Sequence, residues 1–384
     1  MTRNRLTVQS WGRRSLAHRP GVEPLDVRIL PSVVGSPVDP RQNRAIGLTP
    51  AVAVRVGAAT AAVAQGVVPL SGVPALNSLP GAVAALYLDF DGFFESAWGS
   101  YRNISTPAFD QDGDASSFSL GELDTIRRIW SSVAEDFAPF RINVTTVQPL
   151  TFANRVAERV AIGGDGAWTG DLYGGISYID SFTNSIPNTA YVFPRNLGNG
   201  DAKYTAEAIS HEAGHAFGLQ HQSRYDAYGN KIDEYSTGPG DGLAPIMGVS
   251  YYATRGLWWY GTSSVSAQAI QDDMALLARS ANGFGYRADD HGDTATSATP
   301  LVVSGLQLNG AGIITTTADR DVFSFTTNAG TVNVAVDVPA GINNLDARLE
   351  LRDASGTTLI ASAAPSDRFG ASISVPVAAG SYRL

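Results

Sequence analysis

Eleven residues near the middle of the chain, His211-Glu212-Ala213-Gly214-His215-Ala216-Phe217-Gly218-Leu219-Gln220-His221, constrain it more than any other feature. On a helix, positions i and i+4 share a face, so His211 and His215 can turn ring nitrogens to one point. Gly218 lets the backbone leave the helix with φ > 0 and double back, which brings His221 round as a third nitrogen donor. Three neutral imidazoles and one open position describe a Zn²⁺ site of the catalytic kind. Glu212 lies next to that face without being needed as a ligand, where it can take a proton from an attacking water. The chain has only five histidines, at 18, 211, 215, 221 and 291, so three of them fall in this one stretch. It has no cysteine, which rules out disulfides, thiolate zinc sites and a cysteine nucleophile.

The segment resembles the zinc signature of the metzincin metalloproteases, His-Glu-x-x-His-x-x-Gly-x-x-His, at every fixed position. The resemblance implies a Met-containing turn beneath the metal, and Ala244-Pro245-Ile246-Met247-Gly248 places Met247, one of three methionines, 26 residues after His221. Tyr87-Leu-Asp-Phe-Asp-Gly92, Val133-Ala-Glu-Asp-Phe-Ala-Pro-Phe140 and Ile246-Met-Gly-Val-Ser-Tyr-Tyr252 are similar to bacterial reprolysin-like members. Two departures stand out. Gln222 follows His221 where many relatives have Asp, and no Tyr lies two residues after Met247. Tyr251 and Tyr252 are then the candidates for oxyanion support, against a plain packing role. The implied activity is a zinc endopeptidase with Glu212 as general base, acting on a protein or peptide drawn along a sheet edge within the Gly175–Phe193 stretch. The rival readings are a surface-binding protein that keeps a weak zinc domain, and a zinc hydrolase of non-peptide amides.

The pattern along the chain divides it into four parts. Residues 1–33 are basic, and Val22-Glu23-Pro24-Leu25-Asp26-Val27-Arg28-Ile29-Leu30-Pro31-Ser32 resembles a short element near the N-terminus of exported proteins of environmental bacteria. Its alternative is a basic disordered tail. Residues 34–77, rich in Ala, Val, Gly and Pro, read as a linker or pro-segment. Residues 78–286 read as the α+β zinc domain, a mixed sheet with a metal-binding helix. In it Ser119 and Glu122 form a capping box for a helix carrying Ile126, Ile129, Trp130, Val133 and Phe137. Further helices are expected at about 202–218 and 266–278, and strands at 85–90, 141–147, 160–163, 175–179 and 189–193. Residues 287–384 alternate Val, Thr and Ile with turn residues and predict an antiparallel β-sandwich. This part resembles the bacterial pre-peptidase C-terminal domain, and its last residues read as mid-strand, which predicts a truncated sandwich.

Charge narrows the partners. Residues 1–44 hold eight arginines against three acids, a net +5, and the remainder holds 19 basic and 33 acidic residues, a net −14. An acidic body without a basic patch argues against nucleic acid. No run of 18 uncharged apolar residues occurs, so no membrane span is expected. A secreted or cell-surface bacterial protein is the expectation, with a cell-surface or matrix ligand as the partner of the sandwich. Ca²⁺ is the second candidate cofactor. Asp289, Asp290, Asp293, Asp319 and Asp321 are its candidate ligands by resemblance to the C-terminal domain. Asp110-Gln-Asp112-Gly-Asp114 lacks Glu at its twelfth position, is no EF-hand, and reads as a solvated acidic loop.

Overall fold

Burial on both faces of one sheet builds the centre of the molecule. In the computed structural model, which describes residues 22–26, 67–304, 307–338, 344–366 and 369–384, a six-stranded sheet forms from β1 (Val22–Asp26), β2 (Ala84–Asp89), β5 (Ile142–Thr145), β6 (Ala157–Ile162), β7 (Tyr173–Tyr178) and β8 (Thr189–Val192). A hairpin of β3 (Phe93–Trp98) and β4 (Tyr101–Thr106) lies between β2 and the first helix in the chain. The sheet order is β1-β7-β8-β6-β2-β5, with β8, β6, β2 and β5 parallel and β7 antiparallel to β8. Leu86, Leu88, Val160, Ile162, Ala190 and Val192 point to one face and join the main core. The residues between them point to the other face. There Ala161 and Tyr191 join Trp98, Ile104, Ile176 and Tyr178 in a second cluster. On that face Asp89 and Arg159 form a buried ion pair at 2.7 Å.

Two helices cover the main-core face. Helix α1 (Leu120–Asp136) opens with the expected capping box, Ser119 and Glu122 each accepting from the other's backbone N–H, and buries Ile126, Ile129 and Val133. Helix α2 (Ala202–Ala216) starts at Asp201, whose carboxylate accepts from the N–H groups of Lys203 and Tyr204. Nearly all of α2 is buried, between the sheet and α1. A helix enclosed on every side has little room to shift, which makes it a firm platform for side chains that must converge.

Three sequence expectations change. The helix expected over 266–278 is only α3 (Asp273–Leu277), because Ile270–Asp272 pairs instead with Tyr260–Thr262 and Asp272 caps the shortened helix. The folded unit begins before residue 78: Val68–Pro69 pairs with Ser117–Phe118, and the Leu76 carbonyl accepts from Thr146 N–H. The expected linker therefore ends near residue 66. Val22–Asp26, within the expected export-like element, forms a strand, which its alternative reading as a tail did not anticipate. The rest of the basic element and residues 27–66 of the expected linker lie outside the described residues.

The C-terminal part is β-rich, and its described residues hold no helix. Five strands pair in the order β9 (Thr299–Pro300), β10 (Phe323–Thr327), β15 (Gly380–Arg383), β12 (Leu349–Asp353), β13 (Leu359–Ala363). A β11 (Gly330–Val336) and β14 (Ala371–Val377) ribbon packs against them over Phe325, Leu349, Leu351, Ile373 and Tyr382. Among the described residues the structure is mostly β with few helices, and the part expected as a sandwich is β-rich.

Candidate metal centre

The three imidazoles meet. His211 and His215 project from α2, and the helix ends one residue after His215. Gly218 then takes φ +104, while Leu219 N–H donates back to the Gly214 carbonyl at 2.9 Å, and this turn carries the chain to His221. The Nε2 atom of His215 lies 3.1 Å from Nε2 of both His211 and His221. All three residues are buried.

Each ring is fixed from behind. Nδ1–H of His211 donates to the Ile246 carbonyl at 2.7 Å, and that of His215 to the Leu219 carbonyl at 2.8 Å. His221 donates to Glu234 Oε1 at 2.7 Å. Each of these partners can only accept, so the proton sits on Nδ1 and every Nε2 turns a lone pair inward. Three lone pairs at such distances repel unless a cation lies among them. Tetrahedral Zn²⁺ with Zn–N of about 2.0–2.1 Å separates its nitrogens by about 3.3–3.4 Å, close to the spacing here. The donor set therefore fits zinc, and the outer hydrogen bonds are those that orient metal-ligating histidines. Burial, reinforced by the neighbouring imidazoles, pushes His211 down to about 3 and His215 well below its usual range, so both rings stay neutral. The hydrogen bonds from His221 and Lys231 hold Glu234 down at about 2.

Met247 is fully buried under this arrangement, and its neighbour Ile246 supplies the carbonyl for His211. A methyl group on Gly214 would sit 2.6 Å from Met247 Sδ, so the helix glycine makes room for the sulfur. Glu212 is buried and turned toward β7, where a methyl on Gly175 would meet its Cγ and Oε1 at 2.7 Å. The Tyr251 hydroxyl is buried with no hydrogen-bond partner among the described residues. Burial and then the charge of Glu212 push its pKa up. Tyr252 is 65% exposed and packs edge-on to Tyr204, away from such a role. Gln222, the first departure from the family pattern, is buried and donates to Asp273 Oδ1 at 2.8 Å. A pocket of about 300 Å³ begins at Gln222 and is walled by Tyr225, Ile232, Ser236, Trp259 and Thr262.

Sequence reasoning missed three residues here. Glu234 lies in a loop with no spacing signal to mark it. Gly175 and Gly214 did leave signals, since a glycine inside a strand or helix commonly marks a close approach.

The five aspartates expected near the sandwich also converge. Asp289 lies with Asp293 and Asp319, and again with Asp290 and Asp321, each trio having oxygens within 4.8 Å of one another. Burial and then the nearby Asp290 push Asp321 up to about 6. Asp110, Asp112 and Glu122 form another such trio, so Glu122 both caps α1 and faces the loop whose sequence suggests only solvation. Asp110 and Glu122 are already engaged there, Asp110 by Arg195 and Gly113 N–H and Glu122 by Gln111 N–H.

Residues 319–384 match the family model of the bacterial pre-peptidase C-terminal domain, a type typical of secreted bacterial proteins. Asp289, Asp290 and Asp293 lie before the matched span. Neither the curated proteins nor the solved structures contain a match to the chain. No helix among the described residues is long and apolar enough to cross a membrane.

Proposed function

We propose that the chain is a secreted zinc endopeptidase of metzincin type, with Zn²⁺ held by His211, His215 and His221. The observation that carries this reading is the convergence of three inward Nε2 lone pairs at 3.1 Å spacing, each ring locked by an acceptor on its Nδ1. When bound, Zn²⁺ supplies Lewis acidity that polarises the scissile carbonyl and lowers the pKa of water to about 7. Glu212 Oε takes the proton of the attacking water and then gives it to the leaving nitrogen. Its burial between α2 and β7 keeps that carboxylate aimed and away from bulk solvent. Tyr251, whose buried hydroxyl feels the charge of Glu212, would donate to a developing oxyanion. A peptide would add to the sheet at β7, where main-chain bonds give affinity without regard to side chains. The pocket beginning at Gln222 would accept one of its side chains.

The sandwich would serve secretion or attachment to an extracellular ligand. Ca²⁺ is proposed for a structural role at Asp289, Asp290, Asp293, Asp319 and Asp321, whose hard oxygens suit it. A melting temperature unmoved by added Ca²⁺ would remove that role.

Glu212→Ala tests the central claim. Elemental analysis should find one zinc per chain in both proteins, because all three imidazoles remain. Casein and quenched-peptide turnover should fall about 10²–10⁴-fold. A mutant that keeps more than a tenth of the wild-type rate would sink the base, and a chain that takes up no zinc would sink the reading altogether. Loss of casein digestion to a chelator and its return with zinc separates a peptidase from a binding protein.

A further inference from the structure

Two of the three histidines stand on a helix that fixes them, and His221 lies beyond its end. Something other than the helix period must hold this ligand in place. The residues on either side of it are glutamines, and both lead to one carboxylate. Gln222 donates through Nε2 to Asp273 Oδ1 at 2.8 Å. Gln220 is gripped by the side chain of Gln271, whose Oε1 accepts from the Gln220 N–H at 2.9 Å and whose Nε2 donates to the Gln220 carbonyl at 2.8 Å. The same Nε2 donates to Asp273 Oδ1 at 2.9 Å.

Gln222, Gln271 and Asp273 are all buried. Asp273 Oδ2 accepts in turn from Trp259 N–H at 2.9 Å, and Asp273 N–H donates to the Trp259 carbonyl at 3.0 Å. Three N–H groups thus converge on one carboxylate. Among the described residues no lysine or arginine pairs with it, and burial pushes its carboxyl up to about 7. A carboxylate stripped of water without a cation beside it is unfavourable unless its hydrogen bonds are well made. What this one contributes is the direction of the bonds it accepts. A methyl on Gly261 would meet Gln222 Oε1 at 2.8 Å, so the glycine there makes room for the glutamine.

A ligand in a loop is ordered either when the metal binds, which weakens affinity, or beforehand, which preserves it. The Gln220–Gln271 pair engages one backbone N–H and one carbonyl together, as a neighbouring strand would. Backbone bonds from Gln222 to the Met247 carbonyl and from Ser264 to the His221 carbonyl, each at 2.8 Å, hold the far side of the same stretch. Glu234 then fixes the ring itself through Nδ1.

We infer that Asp273 is a positioning residue of the metal centre. It holds the loop ligand His221 from both sides, through Gln222 and Gln271, and ties it to Trp259 at the wall of the neighbouring pocket. That the ion is zinc rests on the reading above; the hold on the loop does not.

The test compares the full chain as wild type, Asp273→Ala, Asp273→Asn and Gln271→Ala, with Ser119→Ala as a control whose cost falls on α1. Zinc loss to a chromogenic chelator, measured on folded chains below their melting temperatures, should be at least about tenfold faster in Asp273→Ala. Asp273→Asn, which keeps one oxygen for both glutamines, should lie between that variant and the wild type. Ser119→Ala should stay within about twofold of the wild type, which separates positioning from general stability. In zinc-free chains the Gln220 amide hydrogen should exchange at least about tenfold faster in Asp273→Ala and in Gln271→Ala. Zinc loss at the wild-type rate in Asp273→Ala would overturn the inference, as would an equal acceleration in Ser119→Ala. Should Asp273→Ala not fold, Asp273→Asn and Gln271→Ala decide, and wild-type zinc loss in both overturns the inference. If no chain takes up zinc yet Gln220 exchange responds to Asp273→Ala, the hold on the loop stands and the zinc reading falls.

Discussion

Gly175 leaves so little room beside Glu212 that a single methyl group there would meet Cγ and Oε1 at 2.7 Å and the Tyr191 carbonyl at 2.8 Å. Gly175→Ala should cost about 1–3 kcal/mol through overpacking and lower kcat, with zinc content unchanged. Urea denaturation beside peptide turnover checks both, and a mutant of normal rate would show that Glu212 need not lie where it does. The histidines make a second prediction, about pH. Burial holds His211 at about 3 in the folded chain, whereas an unfolded histidine titrates near ~6.5. As pH falls below that value the unfolded chain takes up a proton that the folded chain refuses. This contribution to stability is complete above about 6.5 and is lost on the way down to about 3. Asp89 and Asp273, raised by burial to about 8 and about 7, run the other way, losing stability as pH rises. The comparison to make is therefore the slope of melting temperature between pH 7.5 and 5 in the wild type against His211→Asn. The wild type should fall more steeply, and equal slopes would remove His211 from the account.

At the scale of elements, the site depends on where α2 stops and on what α1 does to hold it. Gly218 ends α2 with a backbone that a side chain would strain, and a methyl there would also collide with Arg279 and Asp180. That turn positions both the Leu219 carbonyl behind His215 and the path to His221. Helix α1 shields the other side of α2, and its own start rests on Ser119 and Glu122. Ser119→Ala should destabilise the chain by about 0.5–2 kcal/mol, read from the urea midpoint at constant slope. Because Glu122 also accepts from Gln111 N–H, Glu122→Ala should cost more than Ser119→Ala. The reverse order would separate the cap from the acidic loop.

At the scale of the whole molecule, a buried polar cluster joins the two folded parts among the described residues. Asn344, from the sandwich, donates through Nδ2 to Asp136 Oδ1 at 2.6 Å, and its N–H donates to Glu135 at 3.0 Å. Arg255 donates to the Asn344 carbonyl at 2.6 Å. Asp136 is buried at the end of α1 and also accepts from Ser210 Oγ, next in the chain to His211. Taking the Asn344 side chain away leaves a buried carboxylate oxygen unsatisfied, at a cost of about 1–3 kcal/mol. Asn344→Ala should therefore melt lower and open the junction between the parts to limited proteolysis, while zinc content stays at one. A core ending near residue 287 loses the same contact. Its peptide turnover should persist with reduced stability, and a folded, zinc-loaded but inactive core would place the sandwich within the active site.

The zinc donors were legible because a helix has a fixed period: two histidines four apart and a glycine after them say where three nitrogens go before any fold is known. The same holds for the α1 cap and for most sheet strands, short apolar runs whose side chains go alternately to two cores. Local pattern failed where a partner distant in sequence decided. Ile270–Asp272 became a strand because Tyr260–Thr262 lay beside it, and Val68–Gly72 joined the core through Ser117–Phe118. Glu234 behind His221, Gly175 against Glu212 and Asn344 on Asp136 are contacts between residues far apart or in loops, with no periodicity to announce them. Residue type and spacing determine which chemistry the side chains can perform. Only the packing of one element on another decides which backbone carbonyl fixes a ring, which edge a strand covers, and how near a carboxylate stands.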